Sequence, residues 1–258
     1  MAGVKISVIT AVFNNCETVG AALDSILSQS HPRTEVIVID GLSTDGTRDV
    51  LDGYSERVDV YVSEPDRGIY DALNKGIALA TGEVVGFLHS DDVFADAYAL
   101  ERVANAFQDD SVEAVYGDLL YVRKDDTTRV VRSWISGAYH RGLLARGWMP
   151  PHPTFYVRRE VYQRLGAFDV ALRISADYDC MLRFLRAGVK LAYIPHVQVR
   201  MRTGGVSNRS LRNVAKKSYE DYIALRRNRV GGAFTLFWKN VSKLPQFVVK
   251  NTLDSQRK

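Results

Sequence analysis

The chain of 258 residues carries a formal net charge of +4, with 46% hydrophobic and 25% charged residues. This composition is typical of a globular protein with a substantial core, and two cysteines are too few for a disulfide framework or a zinc cluster. The sequence shows neither a signal-peptide pattern nor an apolar run long enough to cross a bilayer, so we expect a cytoplasmic protein.

The charge is unevenly distributed along the chain. From Met201 onwards, 13 Lys and Arg residues stand against three acids, a net charge of +10, whereas the preceding part carries −6. A domain that binds nucleic acid along its length would be basic throughout. Here the body of the chain is acidic and only the C-terminal part is basic, which argues against a nucleic-acid partner.

The first 95 residues alternate short β-rich segments with helical ones. Predicted strands occupy Val4–Thr10, Glu35–Asp40, Val58–Ser63 and Val84–His89, and predicted helices occupy Glu17–Ser30, Thr44–Tyr54 and Gly68–Ala80. The second strand (EVIVID) is nearly all β-branched, as in a strand that is buried on both faces. This order predicts an α/β fold with a mostly parallel sheet flanked by helices.

Beyond Asp92 the pattern is less regular. Predicted helices occupy Tyr98–Phe107, Arg158–Leu165 and Ser175–Ala187, and predicted strands occupy Val112–Tyr116, Leu119–Arg123 and Val189–Ile194. Between them, Ser136–Pro153 is rich in Gly, Pro, Arg and aromatic residues, which is typical of a functional loop.

Two further helices are predicted near the C-terminus, at Leu211–Leu225 and Ala233–Leu244. Apolar residues at helical spacing mark both, at positions 211, 214, 215, 219, 222 and 223 and at positions 234, 237, 238, 241 and 244. In the second helix the apolar stripe includes aromatic residues and is flanked by Lys239 and Lys243. Such a stripe suits the surface of an anionic bilayer, and it also suits a helix that packs on the protein body or on a second copy.

Polar segments follow all four predicted strands of the first half. They are Asn14-Asn15, Asp40–Gly46, Ser63–Arg67 and His89–Asp92. Ligands bind beyond the carboxyl ends of the strands in an open parallel sheet, so four such ends predict a shared polar pocket. The glycine fingerprints of dinucleotide-binding and P-loop proteins are absent, which argues against nicotinamide enzymes and P-loop kinases.

Two of these strand ends offer carboxylates with alternative roles. The Asp91-Asp92 pair suits a hard, oxygen-preferring cation, or it caps a helix that begins near Asp96. Asp40 can accept a hydrogen bond from a base imide or a ribose hydroxyl. Alternatively, Asp40 orders a turn before the next helix.

A third group of carboxylates stands where the helix at Ser175–Ala187 begins. Asp177 and Asp179 either favour the helix N-terminus electrostatically, or one of them is a general base.

The chain resembles the family 2 glycosyltransferases of the GT-A (Rossmann-like) fold in five segments: VITAVFNN, DGLSTDGT, EPDRGIYDALNKGIALATGE, HSDD and RISADYD. The bacterial group that acts in polysaccharide and glycolipid assembly is the most similar. HPTFYVRREVYQRLGAFD and GGVSN also match this group. The resemblance covers about residues 4 to 208, and EPDRGIYDALNKG is its most specific part.

The resemblance implies a role for particular residues. The donor-binding positions are Thr10, Val12, Asn14, Asp40, Ser43, Arg67, Lys75 and Asp91. Asp91 and Asp92 match the metal and ribose motif, with Asp92 as the direct metal ligand, and Asp177 matches the catalytic base. This chain has Ala176 where the family often has Glu, and His89 where the family often has Asn.

Residues on the acceptor or donor-sugar side are expected at His89, Trp148, His152 and Arg202. His152 lies between two prolines and is equally compatible with a structural role in the loop, and Trp148 with a core position. The turn Gly204–Ser207 either closes over the diphosphate or is a plain loop.

The resemblance also implies an organisation and a function. We expect a GT-A domain at 1–208, with a nucleotide-binding half at about 1–95 and an acceptor and catalytic half at 96–208, followed by a basic amphipathic helical extension at 209–258. A diphosphate leaving group calls for Mn²⁺ or Mg²⁺, and one carboxylate base suffices for displacement with inversion.

The expected donor is a UDP- or dTDP-sugar, and the expected acceptor is a glycan or lipid-linked hydroxyl of the cell envelope. Extension 209–258 is then expected to associate with the inner face of the cytoplasmic membrane. Two alternatives are a sugar-nucleotide pyrophosphorylase, which would need a glycine-rich basic loop after the first strand, and a catalytically silent relative that binds a nucleotide-sugar or acts as a scaffold. The sequence predicts neither the sugar nor the oligomeric state.

Overall fold

The computed structural model of the chain describes residues 3–204 and 211–241. Within these ranges the strands are β1 Ile6–Val12, β2 Thr34–Asp40, β3 Val60–Ser63, β4 Val84–Phe87, β5 Asp92–Phe94, β6 Ala114–Val122, β7 Val130–Trp134, β8 Tyr156–Arg158 and β9 Leu191–Arg202. The helices are α1 Val19–Leu27, α2 Thr47–Asp52, α3 Ile69–Leu79, α4 Ala99–Ala106, α5 Arg159–Leu165, α6 Ala176–Arg186, α7 Leu211–Arg227 and α8 Ala233–Val241. Short 3-10 turns cover Arg141–Arg146 and His152–Thr154.

These strands form one sheet in the order β3-β2-β1-β4-β8-β6-β9-β5, with β7 paired to β6. The strands β3, β2, β1 and β4 are mutually parallel, whereas β8 is antiparallel to both of its neighbours. In the parallel half, Val12 is opposite Asp40 and Asp40 is opposite Ser63, so the carboxyl ends of three strands lie at one edge. The predicted α/β fold is confirmed.

Helices cover both faces of the sheet because its central strands are apolar on both sides. Every residue of β1 is buried. On one face, Leu23 of α1 and Leu100 of α4 join the core, and on the other face Leu73 of α3 and Phe184 of α6 do so. Each such side chain, when fully buried, contributes about 1.5–3 kcal/mol.

Gly76 sets the close approach of α3 to β1. A Cβ at this position would lie 2.4 Å from Cγ2 of Ile9, so only glycine fits without a shift of the helix or the strand. The C-terminal half of α3 is thereby packed directly on the middle of β1.

The second half of the sheet differs from the prediction. The two strands expected at Val112–Tyr116 and Leu119–Arg123 are one strand, β6, with register irregularities around Asp118, and the last strand runs on to Arg202. The strands β5, β7 and β8 were not predicted. They are three to five residues long, which is too short for an alternating pattern to stand out.

Both C-terminal helices form as predicted, and most side chains of their apolar stripes are exposed, although Ile223 packs against the core. Helix α7 buries Glu220, Asp221, Ala224 and Leu225, and α8 buries Thr235 and Lys239. The apolar side chains of Val214, Tyr219, Tyr222, Phe234, Phe237 and Trp238 remain exposed. Buried Ala224 and Leu225 pack with Tyr178, Leu182 and Leu185, and ion pairs of Asp221 and Lys239 join the two helices. Leu244 and Lys243 lie outside the described residues.

Candidate active site

Side chains of the strand ends bind the polar loops to one another. The backbone N–H of Asn14 donates to Oγ of Ser43 at 2.8 Å, and Oδ1 of Asn14 accepts from the backbone N–H of Thr44 at 2.8 Å. Asn15 reaches in the other direction, where its Nδ2 donates to Oγ of Ser90 at 2.9 Å. The loops after β1, β2 and β4 therefore form one connected wall, as the shared-pocket prediction requires.

Asp40 is fully buried at the end of β2, where it organises this wall. Its carboxylate accepts hydrogen bonds from the backbone N–H and the hydroxyl of Ser43 and from Oγ of Ser63, the last at 2.6 Å. The role in ordering the turn is thus visible directly. A contact between Asp40 and a base stays a prediction.

Phe13 is the exposed residue of the strand end that was expected to contact the nucleoside. Its ring is 62% exposed, whereas the side chains of Thr10 and Val12 are buried. A Cβ at Gly41 would lie 3.2 Å from Cδ2 of Phe13 and 2.5 Å from Oδ2 of Asp66, so glycine keeps this surface open. The sequence places an aromatic residue directly after this parallel strand, and the structure shows that its ring is exposed.

Arg67 and Lys75 belong to the segment that follows β3. Arg67 forms an ion pair with Asp71 at 2.9 Å, and its side chain is 75% exposed. Lys75 forms an ion pair with Glu64 at 2.7 Å and donates to the carbonyl of Pro65 at 2.7 Å. Both cations fix the start of α3, and their contact with a nucleotide stays a prediction.

Asp92 begins β5 and does not cap a helix, so the helix-cap alternative is wrong. It is Asp96 that accepts from the backbone N–H of Tyr98, just before α4. Oδ1 of Asp92 accepts from the backbone N–H of Arg202 at 3.2 Å, whereas its buried Oδ2 has no hydrogen-bond partner. Burial and the neighbouring charge of Asp91 raise the pKa of Asp92 well above its usual range.

The Asp91-Asp92 pair fits a hard divalent cation. Two adjacent carboxylates repel each other, one of them leaves a buried oxygen unsatisfied, and carboxylate oxygens are the ligands that Mg²⁺ and Mn²⁺ prefer. Among the described residues, no group of three or more His, Cys, Asp and Glu side chains is arranged to hold a metal ion by itself. A cation at this pair would therefore need further oxygen ligands, such as those of a diphosphate. Arg202 holds the pair in place, because its guanidinium donates to the carbonyl of Asp91 at 2.7 Å.

Two histidine rings lie beside this pair. The ring centroids of His89 and His152 are 5.6 Å apart, and the ring of His152 stacks on Phe87 at 5.1 Å. Burial lowers the pKa of His152 to about 4, so this ring is neutral at pH 7. Nδ1 of His89 and Nε2 of His152 are buried without a hydrogen-bond partner, so each ring has a free polar atom for a ligand. Both the packing role and the ligand role of His152 are therefore compatible with its position.

Asp177 stands at the start of α6, close enough to both histidines for its charge to influence them. Its Oδ1 lies 3.0 Å from the hydroxyl of Tyr70, which lies 2.8 Å from the carbonyl of Ile174. The sequence analysis missed Tyr70, although it lies in the EPDRGIYDALNKG segment. Asp91, His89, His152 and Asp177 thus gather at one place.

Asp179, the other carboxylate of this helix start, has a structural role. It is buried, and its oxygens accept from Nδ2 of Asn228 at 2.9 Å and from the guanidinium of Arg183 at 3.2 Å. Asp177 is only half-buried and keeps acceptor capacity. Of the two carboxylates, Asp177 is the one available to take a proton.

Trp148 is half-buried in an aromatic cluster. Its ring contacts Tyr116 at 5.4 Å and Tyr139 at 5.2 Å. This packing supports a core role, and a contact with a sugar stays a prediction. In the turn Gly204–Ser207, positions 205–207 lie outside the described residues.

A family model described as "Glycosyl transferase family 2" matches residues 7–169. The chain belongs to glycosyl transferase family 2. This membership sets aside the pyrophosphorylase alternative and confirms the resemblance.

Curated relatives agree with this assignment. PGL/p-HBAD biosynthesis glycosyltransferases of Mycobacterium bovis and Mycobacterium tuberculosis are 31% identical over 216 residues, which cover 81% of this chain and 81% of each relative. An uncharacterized glycosyltransferase of Nostoc sp. is 33% identical over 184 residues, covering 67% of this chain and 57% of the relative.

Solved structures show that the fold is GT-A. S. aureus TarS 1–349 in complex with UDP-GlcNAc has a TM-score of 0.69 at 18% identity, covering 88% of this chain and 66% of that chain. A mannosyltransferase from Pyrobaculum calidifontis, in complex with GDP-Man and Mn²⁺, has a TM-score of 0.65 at 19% identity, covering 95% and 73%. This chain aligns to 39% of a longer TarS structure.

No helix in the described ranges has the length and apolar character needed to span a bilayer.

Proposed function

We propose that this glycosyltransferase is metal-dependent and inverting, and that it moves a sugar from a UDP- or dTDP-sugar to a hydroxyl of a glycan or lipid-linked acceptor. The observation that carries the proposal is the placement of Asp177. The charge of this half-exposed carboxylate influences both His89 and His152, and the charge of Asp91 influences His89. A base and a cation site therefore border one space, which is what a single displacement needs.

The proposed donor site is the wall formed by the loops after β1, β2 and β4. The exposed ring of Phe13 offers a stacking surface for a base. The carboxylate of Asp40 suits the imide N–H of uracil or thymine, which could replace the hydroxyl of Ser63 and leave that buried oxygen paired. The complexes of TarS with UDP-GlcNAc and of the archaeal enzyme with GDP-Man and Mn²⁺ support a nucleotide-sugar and a metal in this fold.

The divalent cation, Mn²⁺ or Mg²⁺, would be held by Asp91 and Asp92 and would neutralise the charge that develops on the diphosphate. Asp177 accepts the proton of the acceptor hydroxyl while that oxygen forms its bond to the anomeric carbon. The bond from the anomeric carbon to the diphosphate oxygen breaks, and the nucleoside diphosphate leaves with the electron pair. Because attack and departure occur on opposite faces, the configuration inverts.

Tyr70 and His152 have supporting roles in this scheme. The hydroxyl of Tyr70 shares its single proton between Oδ1 of Asp177 and the carbonyl of Ile174, and this contact restricts the orientation of the carboxylate. The buried ring of His152, stacked on Phe87, forms an apolar wall that keeps water from the reacting carbon. Excluding water favours transfer to the acceptor over hydrolysis of the donor.

We further propose that the acceptor belongs to cell-envelope glycolipid assembly and that the enzyme binds the membrane surface through α7 and α8. The name of the mycobacterial relatives supports the first part. The exposed stripe of Tyr219, Phe234, Phe237 and Trp238 supports the second, because apolar side chains beside the basic turn at 226–229 suit an anionic bilayer.

Calorimetric binding of UDP, dTDP and GDP, each with Mn²⁺ and with EDTA, tests the proposed donor site. Metal-dependent binding of UDP or dTDP is expected. Binding of GDP alone would overturn the pyrimidine assignment. If none of the three binds, the donor site is misplaced, and the catalytically silent alternative takes precedence.

A further inference from the structure

Glu220 of α7 reaches into the turn that precedes α6. Its Oε1 accepts from the backbone N–H of Arg173 at 3.2 Å, and its Oε2 accepts from those of Ile174 at 2.7 Å and Ser175 at 3.0 Å. The residue is only 4% exposed. One buried carboxylate thus holds three consecutive backbone N–H groups that lie 45 to 47 residues away in the sequence.

This turn determines where Asp177 stands. Ser175 is the N-cap of α6, but its side chain makes no capping hydrogen bond, so the helix start relies on other acceptors. The carbonyl of Ile174 shares the proton of the Tyr70 hydroxyl with Asp177, which follows three residues later. Glu220 therefore fixes the backbone from which both the base and the contact between the base and Tyr70 are placed.

Two more contacts join the C-terminal helices to the residues that flank the base. Nζ of Lys239 in α8 lies 3.3 Å from the ring centroid of Tyr178, and it forms an ion pair with Asp221 of α7 at 2.6 Å. Asn228, just after α7, donates to Asp179. The backbone at 173–175, the ring of Tyr178 and the carboxylate of Asp179 are thus held by α7, by α8 and by the residue that follows α7.

We propose that Glu220 is a positioning residue for the catalytic base, and that α7 and α8 act in catalysis as the support of the base. This inference rests on the proposed function, in which Asp177 takes the proton of the acceptor. Glu220 itself touches neither donor nor acceptor. It acts through the backbone at 173–175, so its loss should weaken the chemical step and leave the donor site intact.

The test compares Glu220→Gln and Glu220→Asp with Lys216→Gln. The amide of Gln has a single acceptor oxygen. The Asp side chain keeps the negative charge but is too short to reach the backbone N–H groups. Lys216 pairs with Glu220 at 3.8 Å from the exposed face, so Lys216→Gln removes this ion pair and leaves the three hydrogen bonds in place.

Both Glu220 variants should lose about tenfold or more in kcat, because a misplacement of about 1 Å can cost a factor of about 100. Their KM for the donor and their Mn²⁺-dependent binding of the donor nucleotide should stay within about twofold of the unmodified enzyme. Lys216→Gln should behave like the unmodified enzyme. Thermal unfolding of each variant, with assays well below the lowest midpoint, shows that the folded enzyme is measured.

Glu220→Gln is also combined with Asp177→Asn. If Glu220 acts through the base, it should cause no further loss of residual transfer in the Asp177→Asn enzyme. An equal fractional loss in both backgrounds, parallel losses of kcat and nucleotide binding, or a normal kcat in Glu220→Asp would overturn the inference. If instead Asp177→Asn alone retains full transfer, the proposed base is wrong, and the proposed function fails separately from the role of Glu220.

Discussion

The hydroxyl of Tyr70 lies 3.0 Å from Oδ1 of Asp177, a hydrogen bond between residues 107 positions apart. Burial, and then the charge of Asp177, raise the pKa of Tyr70 well above its usual range, so the hydroxyl stays protonated and donates. Tyr70 lies in the first turn of α3, directly after the segment proposed to face the nucleotide, and Asp177 lies in the first turn of α6. The hydrogen bond therefore joins the donor side of the site to the base.

Replacing Tyr70 with Phe removes the hydroxyl and keeps the ring. We expect kcat to fall about tenfold, since a hydrogen bond to a charged group contributes about 1.5–3 kcal/mol, and Mn²⁺-dependent nucleotide binding to change little. Steady-state transfer kinetics and calorimetry of the variant measure both quantities.

Tyr156→Phe is the matched control, because the hydroxyl of Tyr156 is buried without a hydrogen-bond partner. This change should leave kcat nearly unaltered. Equal kinetic losses in the two variants would mean that Tyr70 acts only through core packing.

Asp177→Asn should reduce transfer by a factor of about 100 to 10,000, the range attributed to a positioned general base. Donor binding should survive, because the amide keeps the size of the side chain and Asp177 is neither a proposed metal ligand nor part of the loops after β1, β2 and β4. The measurement is single-turnover sugar transfer at saturating donor, with nucleotide affinity measured in parallel.

Asp179→Asn serves as the comparison on the same helix turn. It weakens contacts with Arg183 and Asn228, so a lower thermal midpoint with a smaller loss of kcat is expected. A larger catalytic loss in Asp179→Asn than in Asp177→Asn would show that Asp179, and not Asp177, is the base.

The contrast between these two carboxylates shows what the sequence alone can predict. The motif DYD marks both as candidates, and only the buried partners of Asp179 separate them. The parallel half of the sheet could be predicted because each of its strands is a contiguous apolar run followed by polar residues. By contrast, β5 and β8 owe their form to pairing with β9 and with β4 and β6, which are distant in the sequence.

The role of Glu220 was hidden from the sequence for a related reason. An acid among apolar residues of an amphipathic helix indicates a solvent-facing position, and here the helix buries the acid instead. Three backbone N–H groups at 173–175 compensate for the burial of its carboxylate. The sequence around Glu220 does not predict that these distant groups will lie beside it. The buried face of α7 therefore combines this acid with the apolar residues Ala224 and Leu225.

Asp92→Asn should abolish the dependence of nucleotide binding on Mn²⁺. The substitution removes a charged oxygen ligand from the proposed cation site, so the affinities measured with Mn²⁺ and with EDTA should become equal within about twofold. Asp96→Asn is the control, because Asp96 is exposed and pairs with Arg102. If Asp92→Asn retained a full response to Mn²⁺, another residue would have to be the ligand.

In a triple variant, Phe234, Phe237 and Trp238 are each replaced by Ser. Its affinity for anionic vesicles, measured by sedimentation, should fall at least about tenfold, since burying one such side chain contributes about 1.5–3 kcal/mol. The three side chains are exposed, so transfer to a water-soluble acceptor should persist. Tyr98→Ser, which removes an equally exposed ring elsewhere, should leave sedimentation unchanged. Unaltered vesicle binding by the triple variant would exclude α8 as the contact.

Glu35 predicts a pH dependence of stability that is separate from catalysis. It lies in β2, where its carboxylate accepts hydrogen bonds from Nζ of Lys5, Oγ of Ser7 and the backbone N–H and hydroxyl of Thr81. Burial alone would raise the pKa of Glu35, but these hydrogen bonds outweigh it and lower the pKa to about 2.

The unfolded chain binds this proton near pH 4.3, so the stabilisation is fully present above that pH and is lost as the pH falls towards 2. The lowered pKa of Glu35 should contribute about 2 kcal/mol to the free energy of unfolding at pH 7. The pKa shift alone corresponds to a somewhat larger value, which solvent screening at the half-exposed Lys5 reduces.

Urea unfolding of the unmodified enzyme and of Glu35→Gln, at several pH values from 7 to 3, measures this contribution. The difference in the free energy of unfolding should be constant between pH 7 and 5 and shrink below about pH 4. A difference that stays constant down to pH 3 would show that Glu35 keeps an ordinary pKa in the folded protein.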